Sequence, residues 1–347
     1  AKAGAREMAM EMDKVEFFAL HGATDAPTVD VIARGVATLV DDAAYGDMTG
    51  YLAVPPMKYV LDVTPGGDNA TVVASFEADL SGLAGGSAVV FASGFLTPAS
   101  NKDGEAFGLF AALADGTVVE FPLLTTARLQ VIHNAADPAA AAVDVYVNGG
   151  LLLDDFAFRA ATPFIDVPAG VELNIGVAPG SSSSADDTLK NFAVTFMAGE
   201  TYVAIANGVL DPSGFAANPD GRETGFTLFV KAGAREASMH DEKVEVFAVH
   251  GATDAPEVDV FVFFGGFVAE NAKYGDITGY TVLCPSMLRA YVIAGYDGWG
   301  DWNFTVVAGY WMNLKGLGGQ TAVVFASGFL DPVANQNGAS FGLFAAL

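Results

Sequence analysis

Val143-Asp144-Val145-Tyr146-Val147-Asn148-Gly149-Gly150 reads as a short strand closing on a hairpin turn, and it decides the fold. Before it, Arg128 to Asn134 alternates as a strand and Asp137-Pro138 turns the chain. After it come Leu151 to Phe156, then Thr162 to Val167 ending at the turn Pro168-Ala169-Gly170. Val171 to Val177 is closed by Pro179-Gly180 and a serine run. Phe192 to Phe196, Thr201 to Asn207 and Thr224 to Val230 complete the set. Short strands with frequent turns over roughly 100 residues are the pattern of a β-sandwich. No helical period of 3.6 competes with it. The predicted fold class is all-β.

The same unit recurs on both sides. His133-Asn134-Ala135-Ala136-Asp137-Pro138 is a weaker form of His21-Gly22-Ala23-Thr24-Asp25-Ala26-Pro27, which leads into Val29-Asp30-Val31. His21 to Pro27 returns unchanged at His250 to Pro256, an offset of 229, and Lys2 to Glu7 returns at Lys231 to Glu236 with the same offset. Val89 to Leu96 returns at Val323 to Leu330, and Phe107 to Leu113 at Phe341 to Leu347; these offsets are 234, so the later copy carries five extra residues in between. The pattern predicts module A (15–124), module B (125–236) and module A′ (243–347), with an A–B pair as the repeating unit. Residues 1–14 correspond to the tail of a preceding module. Leu347 corresponds to Leu113, so A′ is expected to stop before its last strand. Residues 1–12, or chain beyond Leu347, are expected to pair with an adjacent module, because an unpaired sheet edge exposes backbone donors and acceptors.

Composition narrows the class. Hydrophobic residues make up 52% of the chain, enough for each module to bury a core. The formal net charge is -25, from 41 acidic and 16 basic residues, which argues against binding nucleic acid or an anionic membrane surface. No apolar run is long enough for membrane insertion. Cys284 is the only cysteine, so no intrachain disulfide forms.

In module B, H-N-A-A-D-P (133–138), V-D-V-Y-V-N-G (143–149), the P-A-G turn (168–170) and G-E-T-Y-V-A-I-A-N-G (199–208) together resemble the DUF4397 family. In the A-type modules HGATDAP, VVFASGFL and FGLFAAL resemble versions found in large exported proteins of Bacteroidetes. The resemblance covers nearly the whole chain. It implies tandem Ig-like antiparallel β-sandwich modules and an extracellular or cell-surface location. It implies nothing about activity.

Chemistry is sparse. His21, His133 and His250 share one module position, each with an aspartate four residues on. A metal or acid–base pair would need further partners, and a capped turn needs none. There is no Gly-x-Ser-x-Gly elbow and no Walker A sequence. Gly82, Gly85 and Gly86, like Gly316, Gly318 and Gly319, read as hairpin turns. Structural calcium is the one cofactor the sequence admits, from Asp41-Asp42, Asp154-Asp155, Asp186-Asp187 and the pairs Asp25/Asp30, Asp137/Asp144 and Asp254/Asp259. A complete calcium loop motif is missing. The aromatic cluster of A′, namely Tyr296, Trp299, Trp302, Tyr310 and Trp311, is the candidate binding or interface patch, with a glycan as its ligand. The expected function is a non-enzymatic structural or adhesive repeat protein, self-associating end to end or by strand complementation into a surface filament. The alternative is a glycan- or calcium-binding surface module.

Overall fold

The computed structural model describes residues 2–294 and 305–347, which form strands joined by loops and short 3₁₀ turns. Two compact units result, Ala1–Thr126 with Met197–Gly199, and Ala127–Phe196 with Glu200–Leu347.

Module A holds β1 (Val15–His21), β2 (Val29–Ala33), β3 (Ala37–Ala43), β4 (Leu52–Val54), β5 (Lys58–Pro65), β6 (Ala74–Asp79), β7 (Ser87–Ser93), β8 (Gly108–Leu113), β9 (Val118–Phe121) and β10 (Leu123–Leu124). They form two sheets, ordered β4-β1-β7-β8-β9 and β10-β6-β5-β2-β3. Alternation along the strands turns Val15 and Phe17 of β1, Ala88 and Ala92 of β7, and Leu109 and Ala111 of β8 inward. They meet Leu61 and Val63 of β5 and Phe76 and Ala78 of β6, which makes the sandwich core.

Module B holds β11 (Thr126–His133), β12 (Ala142–Val147), β13 (Gly150–Ala157), β14 (Ile165–Pro168), β15 (Glu172–Pro179), β16 (Lys190–Thr195), β17 (Thr201–Asn207) and β18 (Thr227–Ala232). Its sheets are β14-β11-β17-β18 and β13-β12-β15-β16. Module A′ holds β19 (Val244–His250), β20 (Val258–Val262), β21 (Gly266–Ala272), β22 (Thr281–Leu283), β23 (Met287–Ala294), β24 (Thr305–Asn313), β25 (Thr321–Ser327) and β26 (Gly342–Ala346). Its sheets are β22-β19-β25-β26 and β21-β20-β23-β24. The chain is all-β, as the sequence predicts. In module A, β9 covers the edge of β8; no described strand does this for β26.

One pairing in each module is parallel: β1 with β7, β11 with β17, and β19 with β25. Parallel partners need a crossover, and here the chain visits the opposite sheet between them. The Gly82, Gly85 and Gly86 stretch therefore links β6 in one sheet to β7 in the other. It is an inter-sheet passage and not the hairpin turn suggested by its composition; Gly316 to Gly319 is the same passage between β24 and β25.

The first hairpin of every module carries a bulge at one place, beside Val29/Val31, Val143/Val145 and Val258/Val260. Asp42, Asp155 and Asn271 take left-handed backbone there, with φ of 49, 51 and 49°. Their amides donate to the carboxylates of Asp30, Asp144 and Asp259 at 2.6, 2.8 and 2.7 Å. The paired acids at 41–42 and 154–155 are thus bulge residues, and a carboxylate on the neighbouring strand fixes each bulge.

The sandwich interiors are filled unequally. Module A keeps a cavity of about 300 Å³ lined by Phe17, Val31, Leu39, Leu61 and Ala78, against about 40 Å³ in B and two of about 20 and 70 Å³ in A′. Phe156 of B pairs where A has Ala43, and Met312 of A′ pairs where A has Ala78. Ala78→Met is expected to fill part of this space and stabilise the first unit by about 1 kcal/mol. Calorimetry reads this as a raised transition for the unit that lacks tryptophan; a lowered one would mean that the space cannot take the side chain.

Candidate functional site

The repeated histidine and aspartate are brought to the same loop but not to each other. Each imidazole Nε2 faces a loop carbonyl: His21 to Pro27 at 3.0 Å, His133 to Ala140 at 2.7 Å and His250 to Pro256 at 3.1 Å. A carbonyl only accepts, so Nε2 carries the proton. The carboxylate of Asp25 accepts from the amides of Leu96 and Thr97 and from Asn101 Nδ2. Asp254 does the same with Leu330, Asp331 and Asn335, while Asp137 takes Leu210 and Ala139. These are staples that tie the first loop to the loop after β7, β17 or β25. Hydrogen bonds from the Thr97 and Leu96 amides and from Asn101 hold the Asp25 carboxyl below its ordinary pKa, against a smaller opposing push from burial.

Burial pushes the His133 and His250 imidazoles below the usual histidine value, against the opposing pull of their carbonyl bonds. Nδ1 of His250 is buried with no partner, so a proton there would find no acceptor. A depressed folded value means that the unfolded chain takes the proton first. The contribution is present above about pH 6.5 and is lost as pH falls through the folded values. The urea midpoint of the second unit is expected to fall between about pH 7 and about pH 5. A flat midpoint over that range would contradict the coupling.

Among the described residues no group of three or more His, Cys, Asp or Glu side chains is arranged to hold a metal ion. Asp186 and Asp187 lie in a 3₁₀ turn capped by Ser184, where the Asp187 carboxylate accepts from Ser183 and Ser184.

A cluster of buried apolar and amide groups lies between B and A′, within the second unit. The outer faces of their β11-containing and β19-containing sheets form one core of Ile132, Val203, Ile205, Phe247, Val249, Val323 and Phe325. Polar groups at its rim are paired across the junction. Asn134 Nδ2 donates to Ala326 O at 3.0 Å and to Asn207 Oδ1 at 2.8 Å. Asn207 Nδ2 donates to Gly251 O at 3.2 Å and to the Tyr274 hydroxyl at 3.1 Å. Burial pushes the Tyr274 pKa up to about 12. A Cβ on Gly251 would come within 2.1 Å of Asn134 Nδ2, so only glycine fits against this amide pair.

Further out, Asn218 Nδ2 donates to Thr253 O at 2.8 Å, and the Phe215 and Phe329 rings stack at 5.7 Å. Arg159 of B reaches Ser327 Oγ at 3.0 Å and Ser340 O at 2.7 Å, with its guanidinium 3.9 Å from the Phe344 ring centroid. Burial lowers its pKa. Nothing in the motif reading points to Asn134, Arg159, Asn207 or Asn218. One signal for the face was available: β19 (VEVFAVH) and β25 (TAVVFAS) are apolar on both alternating sets, the mark of strands covered on both sides.

The aromatic patch divides. Tyr296, Trp299 and Trp302 lie outside the described residues. Tyr310 and Trp311 are neighbours on β24 and therefore face opposite ways: Tyr310 packs against the A′ core, while Trp311 is 66% exposed. The Arg289 guanidinium lies 4.9 Å from the Trp311 ring. Phe267, Phe261 and Tyr291 stand in cross-strand register on the same outer face. At the matching place module A has Arg34 bonded to Asp62 at 2.6 and 2.8 Å, so the aromatic face belongs to A′.

A family model described as a domain of unknown function, DUF4397, matches residues 17–103 and 127–221. No curated protein is significantly similar. Among solved structures, the Bacillus anthracis TIE protein matches with a TM-score of 0.19 and 10% identity over 93% of this chain and 51% of its own. The product complex of SpuA, a multi-modular glycogen-degrading pneumococcal virulence factor, matches with a TM-score of 0.16 and 12% identity over 82% of this chain and 37% of its own. The chain thus spans about half the length of the first and less of the second.

Proposed function

The chain belongs to the DUF4397 family, and we propose that it is a non-enzymatic structural or adhesive repeat protein of the extracellular space or cell surface, working as part of a filament. The packing of B on A′ carries this reading. A flexible string of beads would leave its linkers wet and its module faces polar. Here an apolar core and buried amide hydrogen bonds across the junction join two modules into one stiff element. Stiff tandem elements transmit load and set spacing. The acidic surface, with a net charge of -25, keeps such elements soluble until their docking faces meet. Immunogold electron microscopy of the source cells tests it: labelled surface filaments are expected, and label confined to the cell interior would overturn it.

A second reading rests on the outer face of A′. Exposed Trp311, flanked by Arg289 and Tyr291, offers the flat ring and hydrogen-bond donor that stack on and orient a sugar. Glycan-array binding that disappears in Trp311→Ala and Arg289→Ala would support it. An array with no signal for the unaltered chain would sink it.

A further inference from the structure

Module A carries the same outer face that A′ presents to B, and in A it is largely uncovered. Phe325 and Val249 are buried beneath B, whereas Phe91 and Leu20 at the same places are half-buried. Tyr274 is 2% exposed; its counterpart Tyr45 is 60% exposed. Ile277 packs against the B–A′ core, and its counterpart Met48 is 42% exposed.

The segment that leads into this face is also duplicated, contact by contact. At the end of β18, Lys231 of B lies 5.1 Å from the Phe247 ring centroid and donates to Thr278 O, while beyond the strand Arg235 N donates to the Tyr280 hydroxyl and Arg235 pairs with Glu245. At the start of the chain Lys2 lies 4.7 Å from the Phe18 ring centroid and donates to Thr49 O. Arg6 N donates to the Tyr51 hydroxyl at 2.7 Å, and Arg6 pairs with Glu16. Residues 2–10 therefore lie on their own module A as 231–239 lie on A′. Within the chain, Met8 bridges Gly86, just ahead of β7 in module A, as Ala237 bridges Gln320 ahead of β25.

We propose that the outer face of module A, around Tyr45, Met48 and Phe91, is the seat of a B-type module, delivered in tandem through a strand that enters at Lys2 as β18 runs into Lys231. The occupant presents an apolar centre like Ile132, Val203 and Ile205, and two asparagine amides placed to donate to Gly22 O, to Ala92 O and to the Tyr45 hydroxyl. The backbone of the seat is the same: Gly22 has the place of Gly251, and a Cβ there would come 2.7 Å from Ala92 O as one on Gly251 would come 2.6 Å from Ala326 O. A second copy's own B module does not fit this role, because its face is already spent on A′. This rests on the tandem-assembly reading and names its joint.

The test is a chain with residues 125–230 placed directly ahead of Lys2, so that Lys2 to Glu7 serve as the tail of the added B module. Peroxide oxidation of Met48, followed by peptide mass spectrometry, is compared with the unaltered chain, with exposed Met57 as internal reference. Met48 is expected to react at least about tenfold more slowly once covered. Ile205→Lys in the added copy alone, on its outer face, is expected to restore the rate. Hydrogen exchange on peptides of β12 and β15 is read in parallel, and a single slow population is expected from both B copies. Unchanged Met48 reactivity, or a second fast-exchanging population, overturns the seat. Filaments on cells with Met48 unprotected would overturn the seat alone and leave the tandem reading standing.

Discussion

Phe325→Ala is expected to lower the stability of the second unit by about 3–5 kcal/mol, while Phe91→Ala in module A loses only about 1–2 kcal/mol. The two phenylalanines sit in the identical octapeptides Val89 to Leu96 and Val323 to Leu330. Phe325 is buried among Phe247, Val323 and Phe344, where B closes the face, and truncation leaves a cavity that neither sheet can collapse into. Phe91 stacks on Phe110 at 5.5 Å with water at its open side, so less is lost when it is cut back. All three tryptophans lie in A′, so fluorescence-monitored urea unfolding reads the second unit, and calorimetry reads both. Equal losses at the two positions would show that B contributes nothing to A′.

Asn207→Leu is expected to destabilise the second unit by about 2–4 kcal/mol, although leucine has the same branched heavy-atom skeleton and is more apolar. The amide is fully buried and makes three bonds, accepting from Asn134 and donating to Gly251 O and the Tyr274 hydroxyl. Leucine strips all three at once and leaves a carbonyl and a hydroxyl dry on A′. The effect is thus an interface effect read inside A′, by the same tryptophan signal. A midpoint shift worth less than about 0.5 kcal/mol would mean that water or a neighbour replaces these bonds.

The strands, the turns of module B and the three-fold repeat were legible from the chain alone, whereas the glycine stretches at 82–86 and 316–319 were not legible as inter-sheet passages. Alternation is local, and Asn148-Gly149-Gly150 or Pro168-Ala169-Gly170 carry their turn chemistry with them. The histidine–aspartate turn was legible as a turn for the same reason. Its exact partners were not, because Leu96, Thr97 and Asn101 are brought to Asp25 only by the parallel pairing of β1 with β7. The aromatic patch shows the opposite failure. Composition grouped Tyr310 with Trp311, and one step along a strand put them on opposite faces.

What the sequence by itself determined is the module: which residues alternate, where the chain turns, and that one design is used three times. What only the tertiary structure decided is which module faces are covered. Val89 to Leu96 and Val323 to Leu330 are the same eight residues, yet one set is half-open and the other is closed beneath B. A side chain's hydrophobicity is its own property, but its burial depends on what packs against it, and that partner lies elsewhere in the chain.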